Sequence, residues 1–184
     1  MRDNNNIVRT SEFATQSNHK SALVINDALL KQKADDSLNN SRLREIHNFH
    51  LGNEDNLQRM LNALQPNSYI RPHRHILPAK PETLIVLKGS VGSIIFDDSG
   101  SEKEYYRIDP KCGEYGIDYR GGIWHTYFAL EPNTVIFEVK PGPFDARSDK
   151  EFADWAPAEG SDLVKSYFDV LVLGLNKHFQ RNHK

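Results

Sequence analysis

Between residues 57 and 140 the chain runs in short apolar and β-branched segments separated by clusters of turn-forming residues. Residues 57–64 close on Gln65-Pro66-Asn67-Ser68, and residues 69–75 follow. Residues 83–87 lead through Lys88-Gly89-Ser90 into residues 91–96, which end at Asp97-Asp98-Ser99-Gly100. Segments 105–108, 115–119, 123–130 and 134–140 complete the series. Turn signals recurring about every ten residues, with no helical periodicity between them, predict an all-β sandwich or barrel rather than alternating β/α units.

The flanks have a different texture. Residues 25–36 predict a short helix with Asn26 as N-cap and an apolar patch of Ala28, Leu29 and Leu30. Residues 162–179 place Val164, Tyr167, Phe168, Leu171, Leu175 and Phe179 near one helical stripe, although Val170, Val172 and Leu173 also permit a strand. Between barrel and stripe, Ser148-Asp149-Lys150-Glu151 has the form of a capping box, predicting a short helix that packs Phe152 and Trp155 and stops at Pro157. Residues 1–22, rich in Asn, Ser and Arg, carry too little apolar surface to offset the entropy of ordering and are expected to be mobile. The expected organisation is a polar tail with a short helix over 1–40, a barrel over 41–145 and a helical extension over 146–184.

Composition removes several function classes. The 23 basic and 25 acidic residues leave a net charge of -2, without the basic field that drives phosphate-backbone binding, so no nucleic-acid partner is expected. The N-terminus has no apolar h-region and no apolar run approaches the ~18 residues of a bilayer span, so no membrane partner and a cytoplasmic location are expected. The single cysteine, Cys112, excludes an intrachain disulfide and any cysteine-rich zinc site, and its place near a turn suggests a small apolar filler. Chemistry then falls to the eight histidines.

His73-Arg74-His75 is the sharpest local feature. In a strand, residues i and i+2 share a face with Cα atoms roughly 6.8 Å apart, so two imidazoles can converge on one cation. Glu82 follows at the start of the next strand, with the turn glycine Gly89 behind it. A third histidine, His125, arrives on a separate strand just after Gly121-Gly122. Three neutral imidazoles and a carboxylate suit one borderline divalent transition metal: iron, zinc, manganese, nickel or cobalt. The bland alternative is a barrel that keeps these histidines as hydrogen-bonding pocket groups without metal.

His73-x-His75-x6-Glu82-x6-Gly89 resembles the first cupin motif, with a longer gap before the glutamate, and Gly122-x2-His125 resembles the core of the second. Arg120 stands where proline is usual and Ala129 where asparagine is usual. The flanks, from Ser68 to His75, Lys80-Pro81-Glu82, Trp124-His125 and Phe137 to Asp145, are similar to WbuC-type cupin metalloproteins, a likeness that extends through residues 152–157 and covers about residues 41–157. The resemblance implies a cupin double-stranded β-helix (a jelly-roll barrel) with short N- and C-terminal helices, and metal held by His73, His75, Glu82 and His125. It also implies a link to surface polysaccharide synthesis, hence a sugar or nucleotide-sugar ligand.

Alternation nominates pocket neighbours. Arg71 shares a face with His73 and His75, and Tyr127 shares one with His125. Arg71 is expected to pair with a carboxylate or phosphate of a substrate or, failing that, with a rim acid. Tyr127 is expected to donate a hydrogen bond or act as a general acid, or else simply to fill core. Trp124 points the other way, into packing. Lys80 reads as an exposed loop lysine, His47 and His50 as neighbours of the barrel mouth, and His19, His178 and His183 as solvated ends; Glu138 has no assigned face. Three functions fit: a metal-dependent enzyme on a small polar or anionic substrate, by Lewis-acid chemistry as in an isomerase or oxygen activation as in a dioxygenase; a non-catalytic sugar or small-ligand module; or a scaffold with a closed structural metal. A metal-free epimerase would not need all four ligands. Residues 163–175 offer a surface for a homodimer, or pack back on the barrel.

Overall fold

The computed structural model describes residues 7–76 and 78–182. In chain order these form β1 (Ile7–Ser11), β2 (Ala14–Ser17), α1 (Asp27–Leu38), β3 (Arg44–Asn48), β4 (Leu57–Leu64), β5 (His73–Arg74), β6 (Glu82–Lys88), β7 (Val91–Phe96), β8 (Glu102–Ile108), β9 (Gly116–Tyr119), β10 (Trp124–Ala129), β11 (Thr134–Pro141), β12 (Glu151–Phe152) and α2 (Val164–Asn182). Among the described residues no helix is long and apolar enough to cross a membrane.

The central strands pair as β4 with β11, β5 with β10, β6 with β9 and β7 with β8, all antiparallel. Successive pairs alternate between a seven-stranded sheet, β1-β2-β3-β4-β11-β6-β9, and a five-stranded sheet, β12-β5-β10-β7-β8. The chain is therefore an antiparallel ribbon, folded at β7–β8 and wound so that each pair joins the opposite sheet. That winding is a double-stranded β-helix, the jelly roll expected from the turn spacing and the motifs.

Strands β4, β7, β10 and β11 are buried on both faces, each face against a different layer, whereas β6, β8 and β9 leave one face largely exposed. Inward residues Leu64, Leu84, Val86, Val91, Tyr127, Ala129 and Ile136 fill one end of the barrel. Outward residues Leu61, Ala63 and Val135 pack under Leu29, Leu30 and Ala34 of α1. On the opposite sheet Ile94, Trp124 and Phe128 pack under Phe168, Leu171 and Leu175 of α2. The stripe read from residues 162–179 is thus the buried face of a helix, and Asn26 caps α1 by accepting a hydrogen bond from Leu29 N. Gly92 on β7 lets α2 approach: a Cβ there would lie 2.9 Å from the Phe128 ring and 3.2 Å from Leu175.

Three expectations are corrected, and one strand was not anticipated. The N-terminal segment is ordered from residue 7: β1 and β2 form a hairpin, and β2 adds to β3 in parallel. Edge pairing satisfies backbone groups without apolar side chains, so composition gave no hint of it. Residues 1–6 lie outside the described residues. Strand β3 itself escaped notice because its buried outer face, level with Leu61 and Ala63, is polar: Glu45 bonds Arg9 at 3.0 Å, and His47 lies between Thr15 and Ser17. The capping-box segment forms no helix; Glu151–Phe152 is instead a strand on β5, and Asp149 is held by Lys140 rather than capping. Cys112 is exposed in a short 3-10 turn (Pro110–Cys112) and fills no core.

Candidate metal centre and adjoining cavity

The register of the ribbon builds the site. His73 on β5 lies directly opposite His125 on β10, His75 follows immediately after β5, and Glu82 opens β6. Pro72 has no N–H to donate and β5 is only two residues long, shorter than the strand expected over 69–75. Both motif glycines have positive φ, +76° at Gly89 and +85° at Gly122. A Cβ at Gly89 would lie 2.3 Å from Thr134 Oγ1, and Gly122 N donates to the His75 carbonyl at 2.9 Å, tying the second motif to the first.

Each histidine spends its Nδ1–H on a backbone carbonyl: His73 on Arg71 at 3.0 Å, His125 on Ile123 at 2.9 Å, and His75 on Asp149. That assignment leaves all three Nε2 atoms as lone-pair acceptors. One ligand atom from each of His73, His75, Glu82 and His125 lies within 4.8 Å of the others, and all four residues are buried. Glu82 Oε2 is 2.8 Å from His75 Nε2 and 3.6 Å from His125 Nε2. His73 Nε2, His125 Nε2 and Glu82 Oε1 are buried without any hydrogen-bond partner. Acceptors crowded together in a dry site repel unless positive charge lies among them, so the donor set fits a divalent cation. Burial drives the His73 imidazole well below its ordinary pKa. Burial pushes the Glu82 carboxyl up; where His125 and His75 carry a second proton in the absence of a cation, their Nε2–H groups outweigh burial and hold Glu82 well below the usual range.

Arg74, between the two histidines, points to the other face. It grips Glu151 at 2.7 and 3.2 Å, reaches Asp98 at 3.2 Å and lies 4.3 Å over the Trp124 ring. On the inner face Tyr119 stacks on His125 with ring centroids 4.1 Å apart.

A cavity of about 850 Å³ lies one residue layer from this cluster: none of the four candidate ligands lines it, but Arg71, Asp149 and Phe152, which touch His73 and His75, do, with Tyr127, Glu138, Lys140 and Lys150. Arg71 donates Nε and Nη2 to the Ala153 carbonyl at 3.1 and 2.6 Å. Tyr127 is buried and inward, as alternation requires, and its hydroxyl donates to Glu138 at 3.2 Å. Asn62 donates to the same carboxyl oxygen. Burial raises the Glu138 carboxyl, with Glu82 adding to the effect. Burial and then Glu138 raise the Tyr127 hydroxyl, which stays protonated.

Asn62, Lys140, Asp149 and Lys150 line the cavity without being nominated by the sequence, and Glu138, which has no assigned face there, lines it too. For Glu138 the available signal was Ile136, whose burial fixes the inward phase of β11. Lys80 is not an exposed loop lysine: it is buried, donating to the Pro143 carbonyl at 2.5 Å and lying 3.5 Å from Asp149. It therefore anchors the segment that carries Asp149. Burial pushes the Lys140 ammonium down, but Glu138, Glu82 and Asp149 more than compensate and hold it raised; Asp149 is 2.6 Å away. His50 lines the cavity and accepts from Arg59 N at 3.1 Å, whereas His47 is buried on the outer face of the sheet, between Thr15 and Ser17. His183 lies outside the described residues.

A family model described as a domain of unknown function, DUF6016, matches residues 25–108. Comparison with curated proteins gives no match. Similar solved structures include CapF with the inhibitor 3-isopropenyl-tropolone (20% identity over 58% of this chain and 30% of that one, TM-score 0.49). L-ribose isomerase of Cellulomonas parahominis with L-psicose is similar at 15% identity over 61% of this chain and 70% of that one, TM-score 0.48. Oxalate decarboxylase of Bacillus subtilis is similar at 20% identity over 54% and 24%, TM-score 0.42. The chain thus spans less than a third of the CapF and oxalate decarboxylase chains. Its own ribbon winding, with both histidine motifs brought to one end of the barrel, gives this chain the cupin fold.

Proposed function

We propose that the chain is a metal-binding cupin whose His73, His75, Glu82 and His125 hold one divalent transition metal, and that it is an enzyme acting on a small polar or anionic substrate in the adjoining cavity. The observation that carries this reading is the convergence of three Nε2 acceptors on Glu82, with three of the buried ligand atoms otherwise unpartnered. A bound divalent ion would supply Lewis-acid polarisation of a ligand oxygen, or oxygen activation if it is ferrous iron. The protein's own groups do the rest. Arg71, whose Nη1 is not used on Ala153, orients an anionic group. The Tyr127 hydroxyl donates to Glu138 at the cavity, and the Nδ1–H bonds to Arg71, Asp149 and Ile123 keep the three imidazoles aimed.

The likeness to WbuC-type cupins supports a sugar-derived substrate. The second reading, a non-catalytic binding module, draws on the same cavity of about 850 Å³. A homodimer belongs to the same proposal, since Leu163, Val170 and Leu173 stay exposed on or beside α2. Elemental analysis of purified protein tests the metal, with about one ion per chain expected for a single four-ligand site. Protein that stays metal-free in the presence of iron, nickel and zinc overturns the reading. Turnover of nucleotide sugars and small keto acids, with oxygen consumption followed, separates enzyme from binder.

A further inference from the structure

Charged groups around the cavity are largely consumed by one another. Lys140 bonds Asp149 at 2.6 Å, Arg44 grips Glu159 at 2.6 and 2.8 Å, and Glu138 takes the donors of Asn62 and Tyr127. Lys150 lines the same cavity, and among the described residues no hydrogen bond or ion pair reaches its Nζ. Asp149, its neighbour in the chain, is committed to Lys140 and Lys80. An ammonium that lines a cavity and makes no hydrogen bond to the protein leaves its donors for an anion, which it would hold by charge-assisted bonds. Arg71 borders His73, whose Nδ1–H its carbonyl accepts, and Lys150 lies two residues before Phe152, whose ring centroid is 6.1 Å from that of His73.

We propose that Lys150 is a ligand-binding residue whose ammonium, with Nη1 of Arg71, takes the anionic group, a carboxylate or a phosphate, of a small ligand beside the His73–His75–Glu82–His125 cluster. The assignment rests on reading that cluster as the reactive end of the cavity. The anion lies between two donors of opposite geometry, a point-charge ammonium and a planar guanidinium edge. Neutral sugars lack the charge to satisfy this pair.

Calorimetric titration of the full chain with succinate, inorganic phosphate and erythritol tests the assignment, once metal-loaded and once after chelator treatment. One of the two anions is expected to bind, which distinguishes carboxylate from phosphate, and erythritol is expected not to. Lys150→Met should weaken that anion about tenfold or more, the loss of a charge-assisted contact, while Lys150→Arg retains most of the affinity. In the wild-type chain the same anion should slow trinitrobenzenesulfonate modification of Lys150, read by peptide mass. Anion binding that depends on Lys150 after chelation supports the assignment even if the chain proves to hold no metal. Binding untouched by Lys150→Met, no binding of either anion, or no protection of Lys150 overturns it, whatever the metal content; the protection arm decides if Lys150→Met does not fold.

Discussion

His73 and His125 face each other across β5 and β10, in direct register and with ring centroids 4.6 Å apart. A one-residue slip of that pairing would turn His125 to the outer face, into the packing now occupied by Trp124 and Phe128 under α2. Packing of the outer layer and assembly of the metal cluster are therefore the same event.

Replacing His75 with Ala removes the imidazole nearest Glu82. Metal content is expected to fall from about one ion per chain toward zero. Elemental analysis beside the circular dichroism spectrum checks this, and an unchanged metal content in folded variant would remove His75 from the ligand set.

Arg74→Ala leaves all four ligands in place but frees the strand that carries two of them from Glu151, Asp98 and Trp124. Metal affinity should drop about tenfold, in the range found for groups that support ligands without touching the ion. Competition with a coloured chelator measures it. Equal affinity in the variant would mean that β10 alone sets the histidine geometry.

Acid should destabilise the N-terminal layer through His47. Lys33 Nζ donates to Thr15 Oγ1 at 3.1 Å, so the Thr15 hydroxyl donates onward to His47 Nδ1 at 2.9 Å, and His47 Nε2–H donates to Ser17 at 2.7 Å. Burial, then Lys33, lowers the His47 pKa to about 4. The unfolded chain, with an ordinary value near 6.5, binds the extra proton first. Stability is therefore full above about pH 6.5 and falls as pH drops toward 4, by on the order of 2 kcal/mol from this group. Urea midpoints across that window should decline in the native chain and decline less in His47→Gln.

Leu175→Ala opens a hole between α2 and the five-stranded sheet, where Leu175 is 1% exposed. The expected loss is about 2–5 kcal/mol by urea unfolding. Amide exchange should show α2 opening before the barrel strands. A loss below about 1 kcal/mol would mean that the helix contributes little to holding the sheet.

Much of this molecule was legible from periodicity. Strands β4 and β7 fall at the residues where apolar alternation meets turn chemistry, and Asn26 marks the start of α1. The α2 stripe was legible because three of its residues, Phe168, Leu171 and Leu175, recur at helical spacing and all meet one sheet face. The ligand residues stood out because an HxH pair in an extended segment is a short-range pattern. Strand β3 was not legible, because its buried residues Glu45 and His47 are polar and are satisfied by partners far away in sequence. The segment after β11 misled for a related reason: Asp149 suits a helix cap locally, yet Lys140 and Lys80 claim its carboxylate.

The sequence by itself determined the strand-rich middle, the two flanking helices and the residue types able to bind a metal. Those are consequences of local spacing, which every chain segment carries with it. Only the tertiary structure decided that Glu138, Lys140 and Lys150 share a cavity with Arg71 and Tyr127, and that Lys80 is buried. The face a polar residue takes depends on strand register, and register is set by closure of the whole ribbon, where each buried charge must find its partner from another strand.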